Sequence, residues 1–202
     1  MIINKSKKLN INYYIHIFEP TKACFDILEK KFSGDNNIIL NRIGISDKDE
    51  EAIVYKDKEE SGLASLYNRN LKGYNIRLNN KEVVTLKRLD EYIEEKKLSH
   101  IDLFKLDIEG HELYALKGLG KYLDNKFIDL IQFEYGGCNL DSHTSLMELY
   151  DIFENSGFIM CKVMPKYLKK CSYSPDMDNF QHSNYVAISE EFFNDRVKTL
   201  YL

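Results

Sequence analysis

The stretch Ile101-Asp102-Leu103-Phe104-Lys105-Leu106-Asp107-Ile108-Glu109-Gly110-His111-Glu112 decides the fold. Ile101 to Leu106 is a short apolar run with the length of a buried strand, and it ends on the polar turn Asp107-Ile108-Glu109-Gly110. A helix follows from His111 to about Leu119. A strand that exits through an acidic turn straight into a helix is a repeating unit of α/β proteins.

The same alternation extends on both sides. Upstream, Tyr13 to Phe18 reads as a strand stopped by Glu19-Pro20, since proline cannot donate to a ladder. Thr21 then caps a helix to about Phe32. Ile38 to Ile43 reads as a second strand, left through Gly44-Ile45-Ser46-Asp47. Residues 51–86 differ: β-like pieces at Ala52–Tyr55 and Val83–Leu86 flank a polar stretch, an antiparallel excursion with a mobile loop. Leu89 to Lys97 reads as a short helix. Downstream come a strand at Phe127 to Phe133 ending on Glu134, a helix at Ser142 to Asn155, and strands at Phe158–Val163 and Tyr185–Ile188. With no repeat and no linker, residues 1–202 read as one domain with a polar, basic lead-in at 1–12.

Composition narrows the function. Lys and Arg total 28 against 32 Asp and Glu, a net charge of -4, which argues against a protein that neutralises many phosphates and so against a nucleic-acid partner. The basic runs Lys5, Lys7, Lys8 and Lys166, Lys169, Lys170 read as solvated surface. No apolar run approaches the roughly 20 residues that span a bilayer, and the start lacks the layout of a signal peptide. The four cysteines, Cys24, Cys138, Cys161 and Cys171, show no close pairing, which reads as reduced thiols in a cytoplasmic protein. His16, His100, His111, His143 and His182 form no ligand pattern in the sequence, so no metal is expected.

Three apolar strands end on acids: Glu19, Asp107 and Glu134. Ligands of open α/β sheets bind beyond the carboxyl ends of the strands. Carboxylates placed there suit hydroxyls or an amino group, because each accepts more than one hydrogen bond. The plainer account is that acids are common at strand exits; three together favour the ligand reading. Glu109 and His111 stand where a helix opens, and the exposed backbone N–H groups and local dipole there favour an anion. For His111, a capping or packing role explains it equally well, and Glu112 reads as a solvated helix residue. The polar segment Gly136-Gly137-Cys138-Asn139-Leu140-Asp141-Ser142-His143-Thr144 follows a strand exit, and its paired glycines permit close backbone approach to a ligand; a turn with a helix cap at Asp141 or Ser142 is the alternative.

These blocks resemble a known family. Phe104-Lys105-Leu106-Asp107-Ile108-Glu109-Gly110-His111-Glu112 with Leu116-Lys117-Gly118 resembles the central signature of FkbM methyltransferases. Val84-Thr85-Leu86-Lys87-Arg88-Leu89-Asp90, Phe18-Glu19-Pro20, Gly44-Ile45-Ser46-Asp47, Ile131-Gln132-Phe133-Glu134-Tyr135-Gly136-Gly137 and Ser183-Asn184-Tyr185-Val186-Ala187-Ile188 resemble further family blocks in the same order. The resemblance implies a class I, Rossmann-like α/β domain with a mainly parallel sheet. It implies S-adenosylmethionine as cofactor, with Glu19 on the ribose, Ser46 and Asp47 near the adenine, and Asp107 at the methionine end. It implies methyl transfer to a hydroxyl of a small molecule or glycan. Asp107, Glu109 and His111 are then candidate catalytic residues, and Glu134, Asn139 and Asp141 candidate acceptor contacts.

One family feature is not found. The glycine-rich loop after the first strand has no counterpart before Glu19, and the first glycine is Gly34. The expectation is therefore a chain without the first strand and its helix. A fragment, a short form completed by a partner or a second copy, and a degenerate relative all account for this. The expectation is weak or no cofactor binding by the chain as given; micromolar binding would mean that Met1 to Asn12 or a partner subunit stands in for the loop. The rival to an enzyme is a non-catalytic α/β module that binds a glycan, nucleotide or protein; a different nucleotide-binding enzyme ranks below it, because no phosphate-binding glycine loop is present.

Overall fold

The computed structural model of the protein describes residues 12–197. The polar lead-in lies outside them, except for Asn12. In chain order the elements are β1 (Ile15–Phe18), α1 (Lys22–Phe32), β2 (Ile38–Asn41), β3 (Gly44–Ser46), β4 (Glu50–Lys56), β5 (Asn80–Arg88), α2 (Leu89–Lys96), β6 (Ile101–Lys105), α3 (Glu112–Lys117), β7 (Ile128–Tyr135), α4 (Gly137–Ser142), α5 (Leu146–Asn155), β8 (Phe158–Val163), β9 (Leu168–Lys170), β10 (Ser183–Ser189) and α6 (Glu190–Phe192).

The strands form three sheets, ordered β1-β2, β6-β7-β10-β8-β9 and β3-β5-β4. β1 and β2, β3 and β5, and β6 and β7 pair in parallel. The pairs β7–β10, β10–β8, β8–β9 and β4–β5 are antiparallel. A single, mainly parallel sheet was the expectation; the protein is α/β with sheets of mixed strand orientation. Among the described residues no strand pairs with the outer edge of β1 or of β6.

The main core is built where sequence periodicity is strongest. Along β7, Ile131, Phe133 and Tyr135 alternate toward the core. Leu146, Leu149, Tyr150 and Phe153 recur at helical spacing on α5 and are all buried, and each such side chain contributes about 2 kcal/mol. Leu106, Leu113, Leu116 and Leu119 carry the β6–α3 unit into the same cluster. By contrast, α1 has no buried residue, and all of β1 and β2 is half-buried.

Several readings are corrected. The segment read as the exit from the second strand is itself a strand, β3, in a different sheet. Thr21 occupies the N-cap of α1 without a side-chain cap bond, and the Lys22 amide donates instead to Glu82 Oε1 at 2.8 Å, a cap supplied from β5. The helix read from Ser142 to Asn155 starts at Leu146 as α5, capped by Ser145 rather than Asp141 or Ser142, and Ser142 instead closes a separate short helix, α4. β9 was not read as a strand; only three residues long, it carries too little pattern to register. The excursion is the antiparallel pair β4–β5, as read. The described residues contain no helix long and apolar enough to cross a membrane.

Candidate active site

The turn Asp107–Gly110 leaves β6 beside the parallel exit of β7, and it is strained. Glu109 has φ 53° and Gly110 φ 100°. A left-handed glutamate costs on the order of 1 kcal/mol or more and persists only where its surroundings hold it. Gly110 is also sterically required: a Cβ there would stand 2.8 Å from the Cys138 carbonyl oxygen and 3.2 Å from Ser142 Oγ, both on α4.

The surroundings come from the segment between β4 and β5, read as a mobile loop and here docked onto the turn. Ser65 pairs with Tyr55 in an isolated bridge. Its hydroxyl donates to the Glu109 carbonyl at 2.9 Å. Arg69, 10% exposed, pairs with the Glu109 carboxylate and lies 3.5 Å from Asp141 Oδ2. The Asn70 amide donates to Asp141 at 3.3 Å. Burial raises the Glu109 carboxyl; Arg69 opposes that, and the negative charges of Asp107 and Glu134 add to it. Arg69 thus joins Glu109 to Asp141, and Asp107 and Glu134 lie near enough to Glu109 to act on its charge.

His111 belongs to a second group. Its Nε2 is 2.9 Å from Ser46 Oγ and its Nδ1 is 2.9 Å from Tyr67 Oη. The ring stacks on Tyr114, with centroids 4.9 Å apart. Burial pushes its pKa down to about 4, so at neutral pH it is an uncharged imidazole held between two hydroxyls. It lines an open cavity of about 300 Å³ with Tyr55, Tyr67 and Leu86. Ser46, 1% exposed, also bonds to Asp47 at 3.2 Å. Its backbone runs against α3: a Cβ at Gly118 would fall 1.9 Å from the Ser46 carbonyl oxygen.

The remaining candidates divide. Asp107 is half-exposed, with Lys105 Nζ at 2.5 Å. Glu134 faces His182 at 3.8 Å. Asn139 is 1% exposed and turned inward, accepting from the Gly136 amide at 2.9 Å and donating to Thr144 at 3.0 Å. Glu19 stands at the exit of β1, in the separate two-stranded sheet, where it accepts from the Thr21 amide and hydroxyl at 2.8 and 2.6 Å.

Three residues of this site escaped the sequence reading. Tyr67 and Arg69 sit in a polar loop with no periodicity to mark them. Glu112, read as solvated, is 1% exposed. The fold also brings His100, Asp102 and Asp129 together, with ligand atoms within 4.8 Å of one another, a grouping that their spacing in the sequence does not show. This grouping lies at the start of β6 and β7, away from Asp107, and a 3.2 Å His100–Asp129 pair accounts for it.

No curated protein and no solved structure matches the chain. The methyltransferase FkbM domain matches residues 3–174, a span that takes in the strained turn, the docked loop and the exits of β1, β6 and β7. The chain belongs to the FkbM methyltransferase domain family.

Proposed function

We propose that the protein is an S-adenosylmethionine-dependent O-methyltransferase on a class I, Rossmann-like framework, acting on a hydroxyl of a small molecule or sugar. The observation that carries this reading is the strained turn between parallel strands, which presents Asp107 half-exposed beside Glu134.

The donor set matches part of the cofactor. Carboxylates at strand exits suit ribose hydroxyls and an amino group; Asp107 is exposed, Glu19 and Asp47 are half-buried, and Glu19 keeps one oxygen beyond the one that accepts from Thr21. Ser46 is less suited, since its hydroxyl is already tied to His111 and Asp47. For the methionine end, the sequence offers no glycine ahead of Glu19, the first being Gly34. When bound, S-adenosylmethionine supplies a methyl group on a positively charged sulfur, and transfer depends mainly on alignment.

The chain's own residues then divide the work. Asp107, the most open of the three catalytic candidates, is the carboxylate placed to take the hydroxyl proton. Glu109 is held by Arg69 and orients the turn. His111 is neutral and braces Ser46 and Tyr67. Glu134 and Asp141 face the acceptor side, while Asn139 shapes the α4 turn from within.

Saturation-transfer NMR with S-adenosylhomocysteine tests the reading. Weak binding is expected, lost in Asp107→Ala and reduced in Glu19→Ala. Absence of binding at millimolar ligand, or binding indifferent to both substitutions, would overturn it.

A further inference from the structure

The strained turn has to be held, and Glu112 is placed to hold it. It is the first residue of α3, and its side chain turns back under the turn rather than out to water. Oε1 accepts from the backbone amides of both Ile108 and Gly110, each at 3.3 Å. These amides flank Glu109, the residue forced to positive φ. One carboxylate oxygen thus bridges the two sides of the strained residue.

The other oxygen gives the second observation. Oε2 is buried and has no hydrogen-bond partner. A buried, half-satisfied carboxylate is costly, and an apolar residue would pack there at less cost. The pKa of Glu112 is raised to about 7, chiefly by burial and against the pull of the backbone amides. The charged and titratable groups around it are Glu109 on the turn, Tyr67 on the docked loop and Cys138 on α4. Cys138 is pushed up to about 12 and Tyr67 above its usual range, so neither changes charge near neutrality.

We infer that Glu112 is a positioning residue, acting through the Ile108 and Gly110 amides to hold the turn that presents Asp107 and Glu109. As a residue of a methyltransferase site this rests on the proposed function; as a clamp on the turn it does not. The carboxylate form is the better acceptor, because charge-assisted bonds are roughly twice as strong as neutral ones.

The test is an amide-resolved NMR pH titration of the full chain, as wild type, Glu112→Gln and Glu112→Ala, with Glu109→Gln as control. In the wild type the Ile108 and Gly110 amide shifts are expected to titrate together, with a midpoint well above that of an ordinary glutamate. Glu112→Gln, which keeps an acceptor, should abolish the titration while leaving both amides protected from exchange. Glu112→Ala should speed their exchange about tenfold or more. Glu109→Gln should leave the titration in place. Amides that do not titrate in the wild type, or that still titrate in Glu112→Gln, would overturn the inference, and this holds even where the alanine variant does not fold.

A second arm separates this idea from the methyltransferase reading. If S-adenosylhomocysteine binds, its affinity should fall in Glu112→Ala and recover in Glu112→Gln. Ligand binding with unresponsive amides sinks the role of Glu112 alone. Titrating amides with no ligand binding sink the cofactor reading and leave the clamp standing.

Discussion

Glu112 and His111 are adjacent, the first buried and the second half-buried, and burial moves their pKa values in opposite senses. A base whose folded pKa is depressed, as at His111, contributes stability that is lost as pH falls from about 6.5 toward about 4, because the unfolded chain takes up the proton first. A carboxyl whose folded pKa is raised behaves differently. The contribution of Glu112 is fully present below the ordinary glutamate range and is lost as pH rises through about 7. The two slopes oppose each other in the wild type between about pH 4.5 and 6.5. Glu112→Gln removes one of them, since glutamine stays neutral. Its stability relative to wild type should therefore grow between pH 5 and 7, by up to roughly 3 kcal/mol, in denaturant unfolding followed by circular dichroism. A constant difference across that range would show that the carboxyl is not desolvated. A variant that gains stability in this way while its turn stays held separates the cost of the buried charge from the positioning role. In the sequence, Asp107 and the glycine after Glu109 were legible as a strand exit and a turn. The burial of Glu112 was not, because a glutamate in the first turn of a helix ordinarily faces solvent and only α4 and the docked loop close over it.

Elements meet the site through side chains that the chain order hides. Asp178 is the clearest case. It accepts from the Leu146 amide at 2.5 Å, from Met147 at 3.2 Å, and from the hydroxyls of Tyr135 and Tyr173 at 2.8 Å each. One carboxylate thus caps α5 and ties it to the end of β7, next to Glu134. Burial alone would raise its pKa, but the donors from Leu146, Tyr173, Tyr135 and Met147 outweigh that and leave it below the usual carboxylate range. A depressed carboxyl stabilises above its unfolded pKa, and that contribution fades as pH falls through the folded value. Asp178→Asn should cost about 1–3 kcal/mol near pH 7 and progressively less in acid, measured by urea unfolding. An equal cost at pH 7 and pH 3 would mean that shape, not charge, holds α5. The helix itself was legible from its apolar spacing, and so was its true start: Ser145 with Glu148 three residues on is a capping box, closed in the structure in both directions. Reading Ser142 as the start passed over that pair. What could not be read is the α4 turn, where Asn139 replaces the usual cap from inside the helix.

At the scale of the molecule, burial is unevenly shared. The β6–β10 sheet with α3 and α5 encloses side chains of zero exposure such as Leu106, Leu116, Ile131 and Phe153. From Ile15 to Asn41, only Thr21 is buried. Parallel strands ordinarily lie inside a sheet covered on both faces. Among the described residues β1 pairs with β2 alone, and it touches the main core through Phe18, whose ring meets Tyr92 of α2 at 4.9 Å, and through His16, 2.6 Å from the Tyr92 hydroxyl. The strand and helix identities of this unit were legible from its apolar runs, but its thin attachment was not, because attachment is a property of neighbours rather than of the segment. Local opening free energy follows the apolar contacts that must be broken. Native-state hydrogen exchange should therefore show the β1–β2 amides opening at a small fraction of the global unfolding free energy, while those of β7 and β10 exchange only on global unfolding. Since Glu19 hangs on β1 and Asp107 on β6, S-adenosylhomocysteine spanning both would have to slow β1–β2 exchange more than that of β7. Protection of β1–β2 equal to that of β7 without ligand would show that the two sheets already behave as one.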